Sequence, residues 1–436
     1  MDKTEEMLEL WCSALGIEFI TAEAEEVYKK RTKRIADVIQ LKVPDRVPYC
    51  PFIGFFPAKY AGITPGEAMY DYDKAYMAWK RFITDFQPDS IINYHYAFSG
   101  PVFEALSYKQ LKWPGHGVDP NHTYQFIEGE YMKADEYEAF IEDPSDFIIR
   151  TYLPRTCGAL EELKKLPPIH ETISYYLGLC TATVPAIGIP EVAGAIESLL
   201  KAGKENFRWE TTLSSFNKEM KGSGFPLHFS SGSAAPYDVI GDFFRGTRGI
   251  MIDMYRNPDR LLEAIKKVTP WMVQMGVSGS KTGRSPIVDI DLHKGADGFM
   301  SLEQFKTFYW PSLRAVMLGL IDEGLIPELF IEGDYTSRLE VIGDIPRGKV
   351  IYHFESTDIF KAKEVLGDHI CIKGNVPHSL LCTGTPGEVK DYCKKLIDVV
   401  GKGGGFIMDA GACIDEAKIE NIKAMTNFTK EYGTYQ

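Results

Sequence analysis

The sequence lacks a long hydrophobic run, an excess of basic residues and any closely spaced pair of cysteines. No stretch of 18 apolar residues occurs in its 436 residues, which argues against a membrane-spanning helix. Its 48 basic and 61 acidic residues give a net charge of −13, which disfavours nucleic acid or an anionic membrane as main partner. The eight cysteines include no CxxC pair, and the first residues show no secretory cleavage site, so we expect reduced thiols in a cytoplasmic protein.

Short apolar runs alternate with helical signals along the second half of the chain. Capping boxes at Ser301–Gln304 and Thr385–Glu388 predict helices between the runs. The β-rich runs occupy 285–292, 326–333, 349–354, 370–376 and 405–412. This alternation of strand and helix is typical of a parallel sheet.

The first half repeats the rhythm less regularly, with candidate strands at 47–52, 90–96 and 225–231. Eight strands in all, with helices between them, predict an α/β fold of the (β/α)8 TIM-barrel type. We place the barrel over residues 46–436, with a helical N-terminal extension over 1–45 and an insertion over about 100–224.

Polar residues follow the predicted strands at their carboxyl ends, where barrel enzymes carry their chemistry. They are His95, His228, His293, Glu332, Asp334, His353 and the stretch from Asp409 to Cys413. Each has an ordinary alternative role, because a single histidine at a strand end is more often structural and a buried glutamate is usually half of an ion pair. A cysteine such as Cys413 is more often an inert small residue than a ligand.

Glu332 and His353 end consecutive strands, and neighbouring parallel strands lie about 4.8 Å apart. Their side chains could therefore share one ion, and carboxylate plus imidazole is a credible pair for zinc with open positions for substrate. The third ligand stays open, with Cys413, Asp334 and His293 as candidates.

Several motifs in fixed order resemble the uroporphyrinogen decarboxylase superfamily over most of residues 30–430. They are PDRVPYCP, DFFRGTRGIMIDMYRNPDRLLEAI, GFMSLEQFKTFYWPSL, the EGD turn, FKAKEVLGD, KGNVPHSLLCTGTPGEV and GGFIMDAGACIDEAKIENIKAM. The resemblance implies a TIM barrel and either a decarboxylase or a corrinoid-linked methyltransferase.

The decarboxylase has an arginine-rich loop after its first strand, which grips the acidic side chains of its substrate. The equivalent stretch here, Cys50 to Gly62, has three phenylalanines and no arginine. It lacks the guanidinium groups that bind a polycarboxylate, but it could hold an aromatic ring. We therefore expect Phe52, Phe55, Phe56 and Tyr60, together with His95 and His228, to contact substrate, although apolar packing explains the aromatic residues equally well.

Thiol-using methyltransferases of the superfamily bind zinc through a His-x-Cys motif, which reads Phe330-Ile331-Glu332 here, and through a later cysteine close to Cys413. Methyltransferases of anaerobic O-demethylases resemble this chain more, because they use two glutamates and a histidine, with twenty residues between the last two. Glu332 and His353 have that spacing, whereas Met317 stands where the first glutamate is expected. The resemblance thus implies a harder, more Lewis-acidic zinc suited to oxygen.

The implied activity is methyl transfer from an aryl methyl ether to the cobalt of a corrinoid protein. Zinc, held by Glu332, His353 and Cys413, would stabilise the leaving phenolate, while Asp334 or His293 would orient substrate or supply a proton. The partners are then a corrinoid protein and a small methoxyaromatic molecule, with a homodimer open. Three alternatives remain: a decarboxylase-like lyase without metal, a methylcobamide thiol or folate methyltransferase, and a corrinoid- or ligand-binding relative without catalysis.

Overall fold

A parallel six-stranded sheet lies at the centre of the computed structural model, which describes residues 2–173, 176–283 and 285–435. The strands in those residues are β1 (Leu111–Pro114), β2 (Gly117–Val118), β3 (Gln125–Phe126), β4 (Ser231–Ala234), β5 (Ile287–Leu292), β6 (Ile326–Ile331), β7 (Ile351–Phe354), β8 (Cys371–Gly374) and β9 (Phe406–Ile407). Strands β4 to β9 follow one another in chain order, and every neighbouring pair is parallel. The predicted α/β fold with a parallel sheet is confirmed.

Helices connect and cover the strands. The α-helices are α1 (Lys3–Ser13), α2 (Ala22–Ile39), α3 (Phe56–Ala61), α4 (Pro65–Tyr70), α5 (Tyr72–Phe86), α6 (Gly100–Leu106), α7 (Tyr137–Glu142), α8 (Pro144–Phe147), α9 (Leu153–Thr156), α10 (Val184–Ile187), α11 (Pro190–Gly222), α12 (Pro236–Asp238), α13 (Gly246–Arg256), α14 (Pro258–Gly283), α15 (Leu302–Gln304), α16 (Trp310–Asp322), α17 (Leu339–Ile342), α18 (Ile359–Leu366), α19 (His378–Thr383), α20 (Pro386–Val399) and α21 (Ile419–Tyr432). Short 3-10 segments cover Tyr94–Tyr96, Gly158–Lys165, Ile169–Ile173 and Thr336–Arg338, and π-helical segments cover Ile148–Tyr152, Leu179–Thr183, Val239–Arg245 and Phe305–Tyr309. The capping boxes predicted at Ser301 and Thr385 are confirmed.

Alternate residues of the sheet strands point to one inner face, as the period of two requires. On β6 these residues are Ile326, Glu328 and Phe330, all buried. At the amino ends of the strands this face is apolar, and there Ile287 and Ile326 pack against residues of α1 and α2. The N-terminal helices therefore cover the amino ends of the strands and leave the carboxyl ends open for a site.

Extended segments at 48–50, 89–91 and 226–228 continue the hydrogen bonding beyond the two edges of the sheet. The bonds are Cys50 N to Met408 O, Met408 N to Pro48 O, Asp89 N to Tyr49 O, Ile91 N to Pro226 O and His228 N to Ile91 O. The strands predicted at 47–52 and 90–96 thus contribute single bridges rather than full ladders. The closed eight-stranded barrel stays a prediction.

The segment predicted as an insertion holds strands β1 to β3 and helices α6 to α11, while Ser174 and Tyr175 within it lie outside the described residues. Among the described helices none is long and apolar enough by itself to cross a membrane, although Leu179–Ile187 and Pro190–Gly222, bent by 75°, pass that test as a pair. The domain boundaries themselves stay predictions.

Candidate active site at the carboxyl ends of the strands

A buried ion network crosses the inner face just above the apolar layer. Glu328 accepts hydrogen bonds from His228 Nε2 at 2.7 Å and from Lys373 Nζ at 2.8 Å. Lys373 also lies 3.3 Å from Asp409, whose carboxylate accepts from the backbone N–H groups of Phe52 and Ala410. Because these charged groups are enclosed and bonded to one another, they fix neighbouring strands in register.

An aromatic layer lies above the ion network. Phe52, Ile92 and Phe330 form a buried cluster, with Tyr96 packed against it. The Phe52 and Phe330 ring centroids are 4.9 Å apart, and the Tyr96 ring meets Phe52 edge-on at 5.6 Å. This layer offers an apolar wall to any ligand at the carboxyl ends.

Three carboxyl groups around this layer have no cation sufficient to offset their burial. Burial, with the charge of Asp291, raises the pKa of Asp289 well above its ordinary range, and burial also raises the pKa of Asp291. Burial is likewise the main reason that the pKa of Glu332 rises to about 7. One oxygen of Asp291 is enclosed without a hydrogen-bond partner among the described residues.

His293 is held beside these carboxyl groups as a cation. Its Nδ1 donates to Asp242 at 2.6 Å, and its backbone N–H donates to the buried carboxylate of Asp238 at 2.9 Å. Burial lowers the pKa of His293, but the hydrogen bond to Asp242 and the charges of Asp238 and Asp242 outweigh burial and raise it to about 10. Because Nδ1 is committed to Asp242, Nε2 is the nitrogen from which His293 can donate a proton.

His353 is enclosed and neutral. Its Nε2 lies 2.8 Å from the carbonyl oxygen of Ala410, which can only accept, so Nε2 carries the proton and Nδ1 keeps a lone pair. Burial, and next the charge of Lys373, lower its pKa to about 3. This tautomer suits a ligand histidine oriented by a backbone carbonyl.

The predicted metal ligands are not gathered into one group. His353 pairs across the sheet with Phe330, whereas Glu332 lies two residues further along and next to Glu355. Within the described residues no three His, Cys, Asp or Glu side chains are arranged to hold an ion. The chemistry of the rim still suits a cation, because Asp291 has an enclosed unpartnered oxygen and the carboxyl groups there are poorly neutralised.

Cys413 contacts the aromatic layer, and burial with the nearby Asp415 and Asp291 raises its pKa well above the ordinary range. Without a metal ion beside it this thiol keeps its proton at neutral pH, so zinc binding at Cys413 would release that proton. Phe55 is buried and packs edge-on against Trp79 and Tyr124, and its contact with substrate stays a prediction.

Phe56 and Tyr60 lie away from the carboxyl ends, which corrects the expectation that they contact substrate. Phe56 is fully buried against Phe82 and Phe86 of α5, and the Tyr60 hydroxyl donates to Asp85 at 2.7 Å. Both belong to the packing of α3 on α5, since α3 turns their side chains outward from the sheet.

Two other predicted site residues have partners of their own, and their roles toward substrate stay predictions. His228 lies inside the ion network, where Nδ1 meets Ser90 Oγ at 2.7 Å, so it is a structural residue beneath the aromatic layer. Asp334 sits in an exposed turn, where its side chain accepts from Thr336 N at 2.8 Å. His95, by contrast, lies against Tyr96 with ring centroids 4.0 Å apart and borders a cavity of about 820 Å³ beside helix α11.

The ion network was not predicted from the sequence, because only polar residues at the ends of strands were considered and not those inside them. A signal for it exists, because the runs Pro327-Glu328-Leu329 and Ile372-Lys373-Gly374 each place a charged residue type inside a buried strand. Fully buried charges require partners, so two such strands predict an internal ion pair.

Taken together, the fold and site define an α/β protein with ionisable groups at the carboxyl ends of parallel strands. Residues 218–432 match the sequence model of the uroporphyrinogen decarboxylase (URO-D) family. Uroporphyrinogen decarboxylase of Chlorobaculum parvum is 23% identical over 185 residues, 41% of this chain and 51% of the relative. That of Methylococcus capsulatus is 24% identical over 220 residues, 50% of this chain and 62% of the relative, so the chain spans about half the length of the curated relatives it matches.

A solved methyltransferase from Methanosarcina mazei has a similar fold, with a TM-score of 0.59 and 16% sequence identity. The match covers 92% of this chain and 98% of that one. The second half of the chain is therefore similar to the URO-D family, and the fold of the chain is similar to that of the Methanosarcina mazei protein.

Proposed function

We propose that this chain is the methyltransferase component of an O-demethylase, which transfers methyl from an aryl methyl ether to the cobalt of a corrinoid protein. The observation that carries the proposal is the aromatic layer of Phe52 and Phe330, which lies beside the carboxyl groups of Asp289, Asp291 and Glu332. The stretch from Cys50 to Gly62, which contains Phe52, has no arginine. Such a site suits a neutral or singly charged aromatic ring better than a polycarboxylate. We further propose that the extended segments complete a closed (β/α)8 barrel around it.

The corrinoid, bound to its own protein, supplies the cobalt nucleophile that forms the new bond to the methyl carbon. As that bond forms, the methyl–oxygen bond breaks and its electron pair stays on the oxygen as phenolate. The conjugate acid of a phenolate has a pKa near 10, so the leaving group needs a positive charge or a proton. The charge of His293, with a proton available at Nε2, meets this need from the chain itself.

Zinc belongs to the same proposal as a predicted component. Glu332 and His353 would hold it, with Cys413 as the third candidate, because His293 is committed to Asp242 and Asp334 to its own turn. When bound, it would act as a Lewis acid toward the ether oxygen. Among the described residues, these side chains do not surround a single point, so zinc binding would require them to move together.

The partners proposed are a corrinoid protein and a small methoxyaromatic molecule, in the cytoplasm, with a homodimer as an open assembly. A decarboxylase-like lyase is not favoured, because the stretch from Cys50 to Gly62 offers no guanidinium to a polycarboxylate substrate.

Metal analysis of the purified protein tests the zinc assignment separately from activity. We expect about one zinc per wild-type chain, loss of zinc in Glu332→Ala, and retention in Glu340→Ala, whose carboxylate is exposed on α17. Full occupancy in Glu332→Ala would exclude that ligand. A screen of methoxybenzoates and methoxyphenols with reduced cobalamin tests the reaction itself.

A further inference from the structure

A cavity of about 820 Å³ enters the inner face from the side rather than from the carboxyl ends. It lies between helix α11, the loop at 16–18 and the two extended segments around Asn93 and Ser230, and it ends at Asp289. We call it the lateral cavity. Its volume falls in the range of small-molecule sites, which is about 300–1,000 Å³.

The lateral cavity opens where two neighbouring segments separate. Residues 91 and 227 form a parallel bridge, but beyond it the described residues 92–96 and 229–234 share no backbone hydrogen bond. At the inner end Asp289 is level with Glu328, because the two residues pair across the sheet, and Phe330 lies two residues further along β6. The cavity therefore ends beneath the aromatic layer, whereas the proposed methyl transfer takes place above it.

Asp289 at the inner end is a buried carboxyl group without a cation in contact. It is 9% exposed, and its Oδ2 accepts from the Tyr96 hydroxyl at 3.1 Å. Among the described residues no group donates to its Oδ1, and the buried Lys373 donates to Glu328 instead. Burial, and then the charges of Asp291 and Glu328, raise the pKa of Asp289 well above its ordinary range, and Lys373 offsets only part of that rise. A further positive charge beside Asp289 would stabilise its ionised form.

His95 offers the lateral cavity a second acceptor. Asn93 Oδ1 accepts from the backbone N–H of His95 at 3.0 Å and lies 2.8 Å from His95 Nδ1, so Nδ1 carries the ring proton. Nε2 then keeps its lone pair, and within the described part of the chain it has no hydrogen-bond partner. Burial lowers the pKa of His95 to about 4, so at pH 7 the ring is neutral and Nε2 accepts.

The other charges of the lateral cavity cancel in pairs. Lys218 Nζ lies 2.9 Å from Glu18, and both side chains are more than three-quarters exposed at 76% and 82%, so this ion pair lies at the mouth. Glu210 and Lys221 contribute one charge of each sign. The charge that remains in the lining is that of Asp289. Apolar surface comes from Ile92, Leu213 and Phe229.

We propose that the lateral cavity binds a small organic ammonium ion, with its N–H groups at Asp289 and His95 and its apolar body against Ile92, Leu213 and Phe229. The inference is independent of the proposed methyl transfer, because it requires neither a corrinoid nor an aryl ether. It assigns the chain a second ligand site, apart from the carboxyl ends of the strands.

The chemistry of the inner end selects this class of ligand. A primary ammonium group has three N–H donors and no acceptor, which matches a carboxylate oxygen and an imidazole lone pair. Its charge offsets that of Asp289, whereas an anion would add to the negative charge and a neutral alcohol would leave it unchanged. A metal ion fits less well, since no three His, Cys, Asp or Glu side chains of the described residues are arranged to hold one.

A pair of probes that differ in charge provides the direct measurement. Benzylamine is protonated at pH 7, and benzyl alcohol has nearly the same shape without the charge. Ligand-observed NMR titration of the full chain, with no corrinoid present, gives the affinity of each probe. We expect benzylamine to bind wild type at least about tenfold more tightly than benzyl alcohol.

Asp289→Asn tests the carboxylate itself. Asparagine keeps the size of the side chain and an oxygen for the Tyr96 hydroxyl, and it removes a buried charge that has no cation in contact, so we expect this variant to fold. Benzylamine should bind Asp289→Asn about tenfold or more weakly than wild type, close to the affinity for benzyl alcohol.

Two adjacent serines on α11 test the place of binding without changing any charge. Ser214 is exposed and lines the lateral cavity, whereas Ser215 is exposed and does not line it. Ser214→Trp places an indole in the cavity and should weaken benzylamine binding by about tenfold or more, while Ser215→Trp should bind like wild type. Circular dichroism and a thermal melt check that all three variants fold.

The proposal is overturned by any of three results. They are equal affinity of wild type for the two probes, unchanged benzylamine affinity in Asp289→Asn, and equal affinity in Ser214→Trp and Ser215→Trp. Absence of benzylamine binding to wild type overturns it as well. If Asp289→Asn does not fold, the comparison of the two tryptophan variants decides the question.

Discussion

Replacing Glu328 by glutamine should destabilise the protein far more than the same change at the surface. Glu328 is 2% exposed and uses its two oxygens to accept from His228 and Lys373. Glutamine has one acceptor oxygen and no charge, so the fully buried Lys373 loses one of its two carboxylate partners. Breaking a buried ion pair costs about 3–5 kcal/mol in free energy of unfolding.

The expected change in melting temperature follows from chain length. An unfolding entropy of about 2.1 cal/mol/K per residue gives roughly 0.9 kcal/mol/K for 436 residues. The loss therefore lowers Tm by about 3–6 °C, measured by differential scanning calorimetry or urea denaturation. Glu303→Gln is the control, because that carboxylate is 82% exposed and its pair with Lys306 is worth less than about 1 kcal/mol. Equal effects of the two substitutions would refute the buried network as a stabilising element.

The pH dependence of this difference has a defined sign. Burial alone would raise the pKa of Glu328, but the charges of His228 and Lys373 and the hydrogen bond from His228 lower it below the ordinary 4.5. A lowered folded-state pKa gives stability that is present above about pH 4.5 and is lost as the pH falls further. The gap in free energy between wild type and Glu328→Gln should therefore be constant from pH 5 to pH 7 and shrink below about pH 4.5. A gap that widens on acidification would contradict the assignment.

Two further predictions separate the residues that form the site from those that only pack near it. Phe52→Ala should raise KM for a methoxyarene because it removes part of the aromatic wall, whereas Phe56→Ala should leave KM unchanged and cost about 3–5 kcal/mol in free energy of unfolding, measured by urea denaturation. A rise in KM for Phe56→Ala alone would reverse the two roles. Asp334→Asn should keep wild-type kcat and KM in steady-state assays, since the side chain caps an exposed turn, and a large fall in kcat would restore it to the reaction.

The parallel sheet could be predicted from the sequence because its strands carry strong local signals. The strands β5, β6, β7 and β8 lie within the predicted runs, and the capping box at Thr385 starts α20 as expected. Buried parallel strands read as continuous apolar runs bounded by turn residues, so their existence depends on local sequence alone.

The site was harder to predict, since it depends on register and on side-chain direction. Glu332 and His353 end neighbouring strands, yet the register pairs His353 with Phe330 and leaves Glu332 nearer to Glu355. A shift of two residues along a strand moves a side chain by about 6.6 Å, which is enough to separate two ligands. The packing of Phe56 and Tyr60 on α5 likewise depends on the short helix α3, which begins a few residues after the extended segment at 48–50.

The central claim is tested most directly by a single-turnover reaction of the purified chain with stoichiometric cob(I)alamin and a series of methoxyphenols and methoxybenzoates. Absorbance follows the conversion of cob(I)alamin to methylcobalamin, and chromatography measures the phenol released. The account predicts one equivalent of phenol for each equivalent of methylcobalamin from at least one aryl ether, with transfer reduced when Phe52 is replaced by alanine. Formation of no methylcobalamin from any ether, together with decarboxylation of a porphyrinogen by the same protein, would contradict it.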